Sequence, residues 1–207
     1  MVGGGGVSMP RVVGIDWSLS KTGLGVITQR TDGACLASGG LVKGPTMPSK
    51  AQRAKLGLPP KPTLLERRTR IADAARDITR TAMDAKLVVI EDLVLQGPGR
   101  SADLIAGWWY IVGPLLRAEV PVAVVSVASM KLAVAGSGKA DKAAVAVSAV
   151  KLWPDLTIES DDVGDAVGLA HLGAVALGWN VPTLKRHREV KWQEWPDLPD
   201  PAEAVPA

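Results

Sequence analysis

Apolar and polar positions alternate with two different periods along the chain. Near the start, "RVVGIDWS", "GLGVITQR" and "ACLASGGLVK" are short β-branched or small apolar runs bounded by polar turns, the pattern of strands. "TDG" between the second and third predicts a turn, and the three together predict an antiparallel meander. "GPTMPSKAQRAKLGLPPKP", residues 44–62, has no periodicity and reads as a long, mobile, basic loop, a kind that is usually functional or disordered. From Thr63 to about Asp84 the period becomes helical. Leu64, Ile71, Ala75, Ile78 and Ala82 share a face, and Arg67, Arg70 and Arg80 lie largely off it. "KLVVIED" predicts a strand, "ADLIAGWWYIVGPLLRAE" an apolar helix and "VPVAVVSV" another strand. "ASMKLAVA" and "KADKAAVAVSAVKLW" predict two short helices divided by "GSG". "ESDDVGDAVGLAHLGAVALG", from Glu159 to Gly178, predicts a last helix with an apolar body and an acidic start.

Three meandering strands followed by alternating helix and strand predict an α/β domain over residues 11–178, a mixed sheet with helices on its faces. Residues 1–10, "MVGGGGVSMP", lack the regions of a signal peptide and read as a flexible lead. Residues 179–207 read as a polar tail, ordered at most in part by Trp192 and Trp195. No internal repeat is visible.

Composition narrows the class. Hydrophobic residues make up 47% of the 207, enough for a substantial core and too many for global disorder. With no phenylalanine and one tyrosine, valine, alanine and leucine must fill that core. The single cysteine, Cys35, excludes an internal disulfide and a thiolate metal cluster, so a reducing cytoplasm is the expected compartment. No apolar run reaches the ~18–20 residues of a membrane span. The net charge is only +3, but Lys43 to Arg80 holds ten Lys/Arg against Glu66, Asp73 and Asp77. Such a stretch suits a polyanion, though a solvated helix face and loop would look the same.

The carboxylates are the candidate chemistry. Asp16 ends the first predicted strand and Glu91 the fourth, and sites in such sheets lie off strand ends. Asp162 and Asp165 are three apart on one helix face. Four acids converging on one edge would repel each other unless cations neutralised them, and oxygen-only ligands favour Mg²⁺ or Mn²⁺. Taken singly, each has a plainer role. Asp161 and Asp162 suit a helix N-terminus, Asp16 a turn, and Glu91 a solvated strand end with Asp92 as its competitor. Helical phase leaves Asp161 and Asp162 equivalent, at four and three residues from Asp165.

"GIDWSLSKTGLGVI", "LVVIEDL", "MKLAVAGSGKADKAAV" and "DDVGDAVGLAHLG" resemble, in order, the sequence motifs of the RuvC family of Holliday junction resolvases. The resemblance spans roughly Arg11 to Gly178 and implies an α/β ribonuclease H-like mixed sheet with helices on both faces. It implies that Asp16, Glu91, Asp162 and Asp165 hold two Mg²⁺ (or Mn²⁺) ions, and it selects Asp162 over Asp161, leaving Glu159 and Asp161 outside the ligand set. It places Lys131 and Lys142 near the scissile phosphate. It implies an endodeoxyribonuclease of the crossover junction type, a homodimer cleaving four-way and other branched DNA, with products bearing 5′ phosphate and 3′ hydroxyl. Symmetric cutting needs two sites, and the apolar helix from Ala102 to Leu116 is the candidate interface. The sequence departs from the family in Trp17, where a proline is usual, and in Val94, where bacterial members place a stacking aromatic. Its longer 44–62 loop and tail suit a bacteriophage-encoded relative.

Other signals carry less. "AVAGSGKAD" is not a phosphate loop, because Ala133 stands where glycine is required and Ala140 where a hydroxyl is. His171 and His187 have no partner at metal spacing, and His171 reads as structural. Trp108 and Trp109 read as core or dimer interface, and Trp192 and Trp195 as packed on the surface. Two rivals remain at this stage: a non-catalytic junction-binding protein, and an ATPase of the actin-like or sugar-kinase-like type, which would need a second phosphate-binding hairpin and a longer chain.

Overall fold

The computed structural model describes residues 9–93 and 102–199; most of the expected lead, the last eight residues and Val94 lie outside them. The apolar alternation builds one sheet. β1 (Arg11–Asp16) pairs antiparallel with β2 (Lys21–Gln29), and β2 with β3 (Cys35–Lys43). On its other side β1 pairs parallel with β4 (Leu87–Glu91), and β4 parallel with β5 (Val122–Val125). The expected meander extended by parallel strands is therefore present. A sixth strand, β6 (Trp192–Glu194), closes the order β3-β2-β1-β4-β5-β6 and runs antiparallel to β5.

Strand alternation divides the core in two. On one face Val13, Ile15, Val88 and Ile90 pack under α2 (Leu64–Ala82) and α3 (Ala102–Arg117). On the other, Val12, Leu87 and Val89 pack under α6 (Asp161–Ala176), which is backed by α4 (Val127–Ala135) and α5 (Lys142–Leu152). Every residue of α6 from Val163 to Ala176 is buried, as its all-round apolar body requires. Glycine lets this helix lie almost backbone to backbone on the sheet. A Cβ at Gly14 would sit 2.0 Å from the Ala166 carbonyl oxygen, where no side chain fits. The "GSG" between α4 and α5 is a helix end, with Gly136 left-handed at φ 81° as the cap of α4.

Three expectations need correction. The segment 44–62 contains a short helix, α1 (Lys50–Lys55), started by a capping box between Ser49 and Gln52. Its Arg53 is 1% exposed and makes a two-bond fork to Glu66 at 3.0 and 3.1 Å, with further bonds to the Pro59 and Lys61 carbonyls. Basic character hid this structural arginine inside an apparent loop. Leu64 is exposed, because α2 begins there and its buried face starts only at Ile71. Finally, the described part of the tail, residues 179–199, carries more structure than its two tryptophans suggested. It forms α7 (Lys185–Arg188) and β6, and Arg186 donates to the Ala133 and Val134 carbonyls at the end of α4, groups that a helix terminus leaves unpaired.

Candidate active site

Parity aims the two strand acids the same way. Val12 and Gly14 face α6, so Asp16 does too; Leu87 and Val89 face α6, so Glu91 does too. Ile15 lies beside Ile90 in the parallel ladder, so both acids leave the C-terminal ends of adjacent strands. Asp92, the competitor of Glu91, has the opposite parity, and its backbone N–H continues the ladder to the Val125 carbonyl at 2.9 Å. α6 brings the other pair. Gly23, the ladder partner of Asp16, lies against its first turn, and a Cβ there would be 2.0 Å from the Asp162 carbonyl oxygen. Asp162 and Asp165 therefore reach the same sheet end. Ser160, not Asp161, takes the cap position of α6, and Asp161 and Glu159 are exposed.

Lys142 opens α5, capped by Asp141, and its ammonium stands among the acids. Nζ donates to Asp162 Oδ1 at 2.5 Å and lies 3.7 Å from both Asp16 Oδ2 and Asp165 Oδ2. Lys131 does not enter the cluster. Its Nζ donates to the Ala140 carbonyl at 2.8 Å, bracing the turn into α5, and its charge reaches the acids from a distance.

The surroundings strain the carboxylates toward protonation. Burial pushes Glu91 up to about 8, helped by Asp16 and Asp165 and opposed by Lys142 and Lys131. Burial and then Asp16 push Asp165 up to about 6, with Lys142 opposing. Asp16 is raised by burial against the pull of Lys142. Burial works to lower Lys142, but its bond to Asp162 and the charges of Asp16 and Asp165 outweigh that and raise it. One ammonium thus offsets a cluster that needs more positive charge. The donors fit a hard divalent cation: they are all oxygens, and Asp165 Oδ1 is buried with no hydrogen-bond partner. Among the described residues no group of three or more His, Cys, Asp or Glu side chains is arranged to hold a metal ion as it stands; Lys142 stands between the acids instead.

Two tryptophans support the site in a way composition did not reveal. Trp108 Nε1 donates to the Glu91 carbonyl at 3.0 Å and Trp17 Nε1 to the Leu104 carbonyl at 2.9 Å, fixing both strand ends to α3. Gly107 makes room, since a Cβ there would lie 2.0 Å from the Trp17 ring. The position of Trp17, directly after Asp16, was the available signal. His171 is buried, as expected of a structural residue, and its ring nitrogen lies 3.1 Å from that of His187 of α7.

The sheet order and its flanking helices give an α/β domain of the ribonuclease H-like fold, with an acid cluster at one end of the sheet. No family model and no curated protein matches the chain. Solved structures do. A structure of Thermus thermophilus RuvC aligns with TM-score 0.53 and 23% identity, covering 84% of this chain and 99% of that one. T. thermophilus RuvC in complex with a Holliday junction substrate aligns with TM-score 0.51 and 23% identity, covering 78% and 90%. The chain has the fold of the RuvC resolvases.

Proposed function

We propose that this protein is a metal-dependent, structure-selective endonuclease that cleaves Holliday junctions and related branched DNA. One observation carries the reading: Asp16, Glu91, Asp162 and Asp165 meet at a single sheet end, partly or fully buried, with Lys142 among them. A protein that only bound DNA would gain nothing from an anionic pocket beside phosphates. Asp16, Glu91, Asp162 and Asp165 would hold two Mg²⁺ or Mn²⁺ ions, whose chemistry is activation of water and neutralisation of a leaving oxygen. Lys142 holds Asp162 and can turn its charge to a non-bridging phosphate oxygen. Lys131 positions Lys142 by bracing the turn that precedes it. The fold likeness to RuvC, one structure of which holds a Holliday junction, supports the substrate class.

A four-way junction cut symmetrically needs two sites. α3 leaves Trp109, Tyr110 and Leu116 exposed, apolar surface that a second copy would cover. Synthetic four-way junctions and linear duplex, incubated with Mg²⁺, test the reading. Paired cuts in the junction alone are expected, with none from Asp16→Asn. Cutting by that variant would sink the metal site. Binding without cutting by the native protein would favour a binding module, and ATP turnover without DNA an ATPase.

A further inference from the structure

Lys21 and Lys43 stand directly opposite each other in the β2–β3 ladder. Like charges so placed destabilise a sheet unless something offsets them. Both residues also line a pocket of about 380 Å³, together with Arg70 of α2, Ser20 and Thr46. No carboxylate lines it. The acids of α2 pair with other arginines, Glu66 with Arg53, Asp73 with Arg76 and Asp77 with Arg80. Three of the ten basic residues of 43–80 are thus paired within the stretch, and among the described residues Lys21, Lys43 and Arg70 have no ion-pair partner.

The pocket is also built rather than incidental. Arg70 is held by neutral acceptors, Nε donating to the Pro45 carbonyl at 3.2 Å and Nη2 to the Leu19 carbonyl at 3.5 Å, so it is positioned without being neutralised. The Gly44 N–H donates to the Ser20 carbonyl at 3.0 Å, and a Cβ on Gly44 would lie 2.2 Å from the Leu19 oxygen. Ser18 Oγ donates to the Lys21 carbonyl at 2.6 Å and accepts from its N–H at 3.0 Å, while the buried Thr22 hydroxyl donates to the Ser18 carbonyl at 2.8 Å. Both walls are therefore fixed before any ligand arrives.

We propose that this pocket is an anion site for a backbone phosphate of the nucleic-acid strand that runs into the carboxylate cluster. Its lining residues include two lysines, an arginine, a serine and a threonine, the residue types that suit phosphate oxygens. The location suits a strand: Lys21 lies two residues along β2 from Gly23, the ladder partner of Asp16, about 7 Å at the strand rise of ~3.4 Å per residue. The strand assignment rests on the nuclease reading; the anion site itself does not. Free phosphate offers the same chemistry, so the test must separate the two.

The full chain and a Lys21→Gln/Lys43→Gln variant are compared in three measurements: melting temperature, titration with inorganic phosphate, and anisotropy with a labelled junction over a salt series without divalent cation. The variant should melt no lower, bind the junction about tenfold more weakly at low salt, and show a log–log salt slope shallower by about 1, the loss of one phosphate contact. Arg70→Lys should retain more affinity than Arg70→Gln. Native affinity and slope in the double variant would overturn the strand assignment, even if phosphate binding were lost. If the native protein has no junction affinity, the nuclease reading falls and the phosphate titration decides the pocket alone. Phosphate held by the native protein and not by the variant would keep the anion site, and no binding by either would remove it.

Discussion

Lys142 Nζ meets Asp162 Oδ1 at 2.5 Å, joining the first turn of α5 to the first turn of α6 across the mouth of the carboxylate cluster. The same ammonium lies 3.7 Å from Asp16 and from Asp165, so one cation serves three acids. Lys142→Met should leave those acids without a nearby positive charge. The metal-free variant is expected to melt below the native protein, and Mg²⁺ should raise its melting temperature by more than it raises the native one. Junction cleavage should fall about 100-fold, the size of losing one preorganised charge at a reacting phosphate. Equal metal-induced shifts together with native cleavage rates would show that the lysine has no part in the site.

The pH dependence of the metal-free fold follows from the same cluster. Glu91 moves from 4.5 to about 8 and Asp165 from 3.8 to about 6, burial being the main cause for each. A raised carboxylate means the folded state keeps protons that the unfolded chain releases. The resulting stability is complete below about 4 and is lost as pH rises through 6 and then 8. Without metal, the melting temperature should therefore fall between pH 6.5 and 8.5. Glu91→Gln should flatten that fall, and Mg²⁺ should reverse it. A rise over that range in the absence of metal would contradict the burial of these acids.

The nearness of Asp16 and Glu91 was legible from their places at two strand ends, and the structure adds their parity. Asp16 and Glu91 each end a short apolar run, and period two sends them to the α6 side. Asp162 was harder, since helical phase tied it with Asp161 and only the resemblance separated them; the structure leaves Asp161 exposed and Asp162 bonded to Lys142. What stayed hidden depends on contacts between distant segments. Arg53 looked like a solvated loop cation because its partner, Glu66, lies thirteen residues on. β6 is three residues long and mostly polar, so no local pattern marks it. Trp108 reads as core from its neighbours, yet its role at Glu91 depends on one indole N–H finding a backbone carbonyl.

Glycine substitutions should separate the seat of α6 from general packing. Gly23→Ala would drive a methyl into the Asp162 backbone, displacing the acidic turn itself. Overpacking of this kind costs about 1–3 kcal/mol, and the cleavage loss should exceed what that destabilisation explains at a temperature where the variant stays folded. Gly14→Ala, which meets Ala166 deeper in the helix, should cost at least as much stability. Gly40→Ala meets nothing within 4 Å and serves as the control, with native denaturation midpoint and native cleavage expected. Urea titrations beside single-turnover cleavage rates provide the comparison. A neutral Gly23→Ala would mean that α6 is not seated on β2 as described.

The tail makes the last prediction, and it has two signatures. His187 of α7 lies 3.1 Å from His171 of α6, both buried, and the edge ring of Trp153 packs on His171. Burial pushes His171 down to about 3 and His187 down to about 4. Lowered histidines contribute stability that is complete above about 6.5 and is lost as pH falls toward 4, because the unfolded chain then binds protons that the folded pair refuses. This runs opposite to Glu91 and Asp165, and the two windows overlap between about 4 and 6.5, so the metal-free protein should be most stable near pH 6.5. Removing residues 179–207 would uncover the β5 edge, leave His171 without its partner and free the α4 carbonyls that Arg186 holds. Loss of a buried hydrogen-bonded pair and a paired edge should cost more than about 2 kcal/mol, a drop of several degrees in melting temperature for a chain of this size. His187→Leu in the full chain should cost less, keep β6 and Arg186 in place, and weaken the acid-side loss of stability. A truncated protein that melts and cuts like the native chain would return residues 179–207 to the status of a dispensable tail.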